Sequence, residues 1–313
     1  MLCNSVMRVV WPLFGLLLAC SRNEPSPSAQ PAKISAPSSV PAAPAFEVPA
    51  DRRYQPADLK PGERLPLLLF LHGLGSSGRI AFEGLGLQRL AERERFHLVA
   101  PDGTLDSRGR RFWNAHPACC DFEKRGVDDV ARLGGLLDSL AREPHVDPRR
   151  LYVVGFSNGG FMAHRLACER GDRIAAIASI AGAGPAAGTA CKAADIAVLE
   201  VHGDADEVVR YDGGNLFDRP ELPSHASADD TLSDWGRRLS CGSEPRSGPA
   251  LDLDRKLPGE ETTTLSFDRC PGGSAALWRV RGGKHDIGAD PAFHQRIWQH
   301  LSKYAKPGLE SGR

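Results

Sequence analysis

Net charge is what this chain most clearly lacks: its 39 Lys and Arg residues balance 39 Asp and Glu residues. With no basic stripe to neutralise a phosphate backbone, nucleic acid is not an expected partner. The apolar run from Val9 to Ala19 is too short to cross a bilayer. Zinc-ligand spacings, a phosphate-cradling loop and internal repeats are also missing. Neither a metal nor an organic cofactor is therefore expected.

The N-terminus is built for export. Residues 1–20 carry one charge, Arg8, ahead of the short apolar core, as in a signal peptide. Leu17-Leu18-Ala19-Cys20 resembles a bacterial lipobox, which makes Cys20 the expected lipidation site and membrane anchor; Leu18 stands where a small residue is more usual. A plain secretory signal without lipid is the alternative. Residues 21–46 are rich in Pro, Ser and Ala. They hold too few bulky apolar groups to offset ordering entropy and read as a disordered, extended tether. Residues 47–307 are long enough for one large α/β domain, and 308–313 read as a disordered tail. Beyond Cys3 and Cys20, six cysteines remain, an even number that suggests up to three disulfides outside the cytoplasm. Cys241 and Cys270 bracket one late insertion and are the favoured pair. Cys119 and Cys120 are adjacent, so each is expected to pair elsewhere.

Apolar runs at Leu65–Leu71, Phe96–Ala100, Ile174–Ala181 and Ile196–Val201 predict buried strands. Thr262–Phe267 and Ala276–Val280 are also strand-like. Helices are predicted over 81–93, 127–140, 227–239 and around Phe293–Tyr304. Alternating strands and helices imply a mostly parallel sheet covered on both faces, with ligands bound beyond the strand C-terminal ends.

The most informative stretch is Leu151 to Gly160, LYVVGFSNGG. A β-branched strand runs into Gly155-Phe156-Ser157-Asn158-Gly159, and helix-forming residues follow. This G-x-S-x-G between strand and helix is the pattern of a nucleophile elbow, and it predicts an α/β-hydrolase fold with Ser157 as nucleophile. An ordinary Gly-rich turn is the competing reading. The expected chain order is then Ser, acid, His. His202-Gly203-Asp204-Ala205-Asp206 follows one strand, and Arg281-Gly282-Gly283-Lys284-His285 follows a later one. Among ten histidines, His285 fits order and loop position best. His202, at a strand end before the acids, reads as a hydrogen-bonding neighbour of the site and, with Trp113, as a candidate substrate contact. Spacing leaves Asp204 and Asp206 both open as the acid. The backbone N–H groups of Asn158 and Leu74, the latter in His72-Gly73-Leu74-Gly75, are the expected oxyanion donors. Trp113 and the loop 211–223 are candidate substrate-pocket walls, with a core role for Trp113 as the rival.

His72-Gly73-Leu74-Gly75, Phe112-Trp113-Asn114-Ala115, Cys119-Cys120-Asp121, Val127-Asp128-Asp129-Val130, the Gly155–Gly160 elbow, His202–Asp206 and Gly282–His285 occur in this order. Together they resemble the secreted polyhydroxybutyrate depolymerase and feruloyl esterase family, including lipoprotein members. The resemblance covers nearly the whole folded region. It implies a serine esterase acting on polysaccharide esters or polyesters, with Ser157 and His285 in the triad, and it selects Asp206 over Asp204. The family often carries Gly-His-Thr-Trp-Pro around its histidine, where this chain has Lys284-His285-Asp286-Ile287-Gly288. The departure removes an aromatic side chain from beside the base. No C-terminal polymer-binding module is expected. The rivals are a prolyl-oligopeptidase-like peptidase and a non-catalytic, lipid-anchored binding protein on the same fold.

Overall fold

Seven consecutive buried residues, Leu65–Leu71, form a strand near the middle of a sheet with apolar matter on both sides. The computed structural model describes residues 46–308 except 187, 243 and 288–290. Residues 1–20, read as an export signal ending at Cys20, nearly all of 21–46, read as a tether, and the tail past Gly308 lie outside the described residues.

In chain order the strands are β1 (Arg53–Tyr54), β2 (Leu65–Leu71), β3 (His97–Val99), β4 (Thr104–Leu105), β5 (Arg111–Phe112), β6 (Val146–Phe156) and β7 (Ala176–Ile180). They continue with β8 (Ile196–Gly203), β9 (Gly214–Asn215), β10 (Ser224–His225), β11 (Arg246–Ser247), β12 (Thr262–Cys270) and β13 (Gly273–Val280). The helices are α1 (Gly78–Gly84), α2 (Leu87–Glu94), α3 (Asp129–Leu140), α4 (Asn158–Glu169), α5 (Ala228–Arg238) and α6 (Pro291–Leu301). The main sheet has the order β1-β3-β2-β6-β7-β8-β13-β12-β11. It is parallel from β3 through β13 and antiparallel at both edges. β4–β5 and β9–β10 are small separate ribbons.

Strand periodicity divides the core in two. Leu67, Leu69 and Leu71 pack with Leu133 and Leu137 of α3, Phe161 and Leu166 of α4 and Trp235 of α5. Leu68 and Phe70 point the other way, to Leu87 and Leu90 of α2 and Phe293 and Ile297 of α6. This is the α/β-hydrolase architecture that the strand–helix alternation predicts.

Two expectations need correction. The helix read over 81–93 is two helices, because Gly86 takes a left-handed conformation (φ 67°) and restarts the chain as α2. Cys119 and Cys120 are bonded to each other rather than to distant partners. The peptide between them is cis, and their Cα atoms lie 3.0 Å apart. Cys168 then pairs with Cys191, and Cys241 with Cys270 as favoured. The last bridge closes a span of 29 residues around β11 and β12. Replacing both cysteines by Ser is expected to cost about 2–4 kcal/mol, read as a lower urea midpoint with an unchanged sheet signature.

Candidate active site

The parallel sheet aligns the C-terminal ends of β2, β6, β8 and β13, and each supplies one part of the site. β6 ends at Phe156 and α4 begins at Asn158, which leaves Ser157 alone in the turn at φ 53°, ψ −118°. Only a crowded turn holds a serine there. A Cβ on Gly155 would lie 2.0 Å from the Gly159 carbonyl oxygen, and one on Gly159 would lie 2.0 Å from that of Leu71. The two glycines therefore let strand, turn and helix close on each other.

β8 and β13 are neighbours, and Gly203 pairs with Val280 at their ends. The loops beyond these strands must then lie side by side. The Ala205 N–H donates to the Gly283 carbonyl at 2.9 Å. That contact sets Asp206 facing His285: His285 Nδ1–H donates to Asp206 Oδ2 at 2.7 Å. On the other side of the ring, Ser157 Oγ lies 3.1 Å from His285 Nε2, which can accept the hydroxyl proton. Asp204 faces away. It accepts from the Gly282 N–H at 2.7 Å and from Arg279 Nε at 3.0 Å, and so closes the turn.

The Asp206 side chain is fully buried. Burial pushes its carboxyl up, but His202 and then His285 outweigh that and hold it below the usual carboxylate range. The N–H groups of Val208 and Val209 also donate to its Oδ1, at 2.8 and 2.9 Å.

The loop after β2 touches the serine directly. A Cβ on Gly73 would sit 3.4 Å from Ser157 Cβ, and Leu74 lines the same cavity as Ser157. His72 anchors this loop. Its Nδ1–H donates to the Gly73 carbonyl at 2.8 Å, and its Nε2 accepts from the Gly103 N–H at 2.9 Å. Burial pushes His72 down to about 4, so it stays neutral in this structural role. The Asn158 amide opens α4, where the first N–H groups have no partner within the helix. Its side chain turns inward and bonds both the N–H and the carbonyl of Trp113, at 2.7 and 2.9 Å.

A cavity of about 400 Å³ opens over Ser157 and His285. Phe70, Leu74, Leu85, Phe156, Val208 and Phe217 form its apolar walls. Two residues read from sequence as substrate contacts do not reach it. Trp113 is fully buried, and its indole N–H donates to the His72 carbonyl at 3.0 Å, so it braces the Gly73 loop from below. His202 is 1% exposed and lies beneath Asp206. From the loop 211–223 the wall takes Phe217, while Tyr211 is buried. One participant escapes the sequence reading altogether. Glu200 is buried in β8 and bonds His164 and His202. A carboxylate within the otherwise apolar strand IAVLEVHG is the signal that marks it.

The phospholipase/carboxylesterase family model matches residues 60–222, more than half of the chain. The chain belongs to that family. Feruloyl esterase B of Piromyces equi is 27% identical over 248 residues, covering 77% of this chain and 42% of that protein. Poly(3-hydroxyalkanoate) depolymerase C of Paucimonas lemoignei is 29% identical over 121 residues, covering 37% of this chain and 28% of that protein. Both fall within the family group that the ordered motifs resemble. The chain spans less than half the length of the first curated relatives it matches. Among solved structures, an acetyl xylan esterase from Aspergillus awamori superposes with a TM-score of 0.57 at 12% identity, covering 80% of this chain and 92% of that one. That likeness speaks for the fold alone.

Proposed function

We propose that the protein is an extracytoplasmic serine esterase that cleaves carboxylic esters through an acyl-enzyme. The reading rests on one observation, the unbroken hydrogen-bonded line from Ser157 through His285 to Asp206 at the floor of an apolar cavity. Ser157 Oγ attacks the ester carbonyl while His285 Nε2 takes its proton. Asp206 keeps the imidazole proton on Nδ1 and stabilises the imidazolium. The N–H groups of Asn158 and Leu74 hold the oxyanion, and the positive end of α4 favours its charge. His285 returns the proton to the leaving alcohol, then activates water to release the acid.

Among the described residues, the cavity walls carry no carboxylate and no lysine or arginine. They suit an uncharged acyl group. Feruloyl or acetyl esters of polysaccharides and hydroxyalkanoate oligomers fit that description. The lipobox-like segment ending at Cys20 belongs to the same reading, as an anchor with residues 21–46 as spacer. Three disulfides agree with an oxidising compartment.

A panel of methyl ferulate, acetylated xylan, hydroxybutyrate oligomers and a proline anilide tests the assignment. Turnover of at least one ester class with the anilide untouched is expected. Anilide cleavage alone would favour a peptidase, and no turnover at all would favour a binding protein.

A further inference from the structure

Behind the triad runs a second polar line that esterolysis as described above does not use. Trp235 Nε1–H donates to His164 Nδ1 at 3.0 Å. Indole only donates, so His164 carries its own proton on Nε2, which donates to Glu200 Oε2 at 2.8 Å. The other oxygen, Glu200 Oε1, accepts from His202 Nδ1 at 2.9 Å. His202 Nε2 lies 2.7 Å from the Val209 carbonyl and 3.4 Å from Asp206 Oδ2. Glu200 and His202 are each 1% exposed, and the His164 side chain is fully buried.

Both ring nitrogens of His202 face only acceptors. A neutral ring has one bare nitrogen, which would meet either the Glu200 carboxylate or the Val209 carbonyl lone pair to lone pair. We infer that His202 is a permanent buried imidazolium, balanced by Glu200, whose task is to hold the Asp206 carboxylate ionised and aimed at His285. Glu200, His202 and Asp206 thus form an alternating line of minus, plus and minus, to which His285 adds a plus when it takes the serine proton. The Glu200–His202 pair is neutral as a unit, so it orients Asp206 without adding net charge to the site.

The surroundings bear this out. Glu200 faces His202 along β8, Asp206 and the Val209 carbonyl face it from the turn after β8, and the Tyr211 ring packs edge-on at 5.9 Å. His225 on β10 lies within electrostatic reach, and burial first of all pushes it down toward the neutral form. Arg279 pairs with His202 across β13, but its guanidinium serves Asp204 and the Tyr211 face. Burial lowers the affinity of His202 for its proton, yet Asp206 and Glu200 prevail and raise it to about 10. Burial pushes Glu200 up, and His164 and His202 bring it below its ordinary value.

His202 and Glu200 are positioning residues, and the inference rests on the Ser157–His285–Asp206 reading. Two measurements test it. In side-chain nitrogen NMR of the full chain at about pH 8, His202, assigned by its loss in His202→Gln, should show both nitrogens protonated. In Glu200→Gln the counter-charge is gone, and His202 should lose its proton within the working range. Its kcat should then fall roughly tenfold as pH rises from about 6 to about 9 with KM unchanged, where the wild type keeps its His202 proton. A single bare nitrogen on His202 at that pH would overturn the inference while leaving the triad intact. So would a Glu200→Gln pH profile parallel to the wild type. Should Glu200→Gln fail to fold, the wild-type spectrum still decides. Full activity in Ser157→Ala, by contrast, would remove the triad reading and leave the His202 spectrum unchanged.

Discussion

Ser157→Ala is expected to lower kcat for ester hydrolysis by about 10⁴- to 10⁶-fold. Two geometric facts carry the size of the effect. Ser157 is the side chain placed alone between β6 and α4, and its hydroxyl is the group that meets His285 Nε2. Loss of one oxygen removes the covalent path and leaves only what oxyanion donors and binding can supply. The fold should tolerate the change, because the left-handed turn is set by the backbone contacts of Gly155 and Gly159 rather than by Oγ. Steady-state hydrolysis of nitrophenyl acetate, with far-ultraviolet circular dichroism as the folding control, reads the result. A phenylmethylsulfonyl label on any residue other than Ser157, or activity within tenfold of wild type, would refute the assignment.

Asp206→Asn should cost nearly as much, about 10⁴-fold in kcat. The amide can turn an N–H toward His285, which favours the tautomer with its proton on the wrong nitrogen. It also leaves His202 facing a neutral group where an anion stood. Asp204→Asn is the matched contrast, two residues away in the same turn. Its partners are the Gly282 N–H and the half-exposed Arg279, so a change of only a few-fold is expected. Comparable losses in the two variants would mean that the loop, and not the carboxylate, is what matters.

The same substitution has a stability signature of known sign. Asp206 is held below the usual carboxylate range, so its ionisation stabilises the folded chain above about pH 4, the unfolded value. That contribution is lost as pH falls through the lower folded value. His202 has the opposite sense. Its proton stabilises the fold fully below about 6.5, and the contribution declines as pH rises toward its folded value of about 10. Urea midpoints measured across this range should fall on the alkaline side in wild type, and that slope should be gone in His202→Gln.

Much of the scaffold was legible in the residues themselves. Leu65–Leu71 could be read as a strand covered on both faces because every position is apolar, and Leu151–Gly160 because strand, glycines and helix formers follow one another without a gap. Gly86 was harder: a left-handed residue breaks a helix that periodicity alone continues. The bond between Cys119 and Cys120 runs against the rule that adjacent cysteines pair elsewhere, which is all that their spacing offers. Trp113 could be either wall or core by its type, and the choice depended on where Asn158 turned its side chain.

The sequence by itself determined the alternating strands and helices, the serine in its elbow, and the order in which serine, acid and histidine arrive along the chain. Those are local properties, written in periodicity and turn chemistry. Spacing left Asp204 and Asp206 open, and the family resemblance favoured Asp206. The tertiary structure shows how Asp206 meets His285 while Asp204 closes the turn, and it alone decided that the cavity walls include Phe70, Phe156 and Phe217 and that Glu200 and His202 stand behind the acid. The reason is that β8 and β13 lie side by side in the sheet, although some 70 residues separate them in sequence. Which carboxylate faces which ring depends on how their end turns meet, and that geometry exists only once the strands have paired.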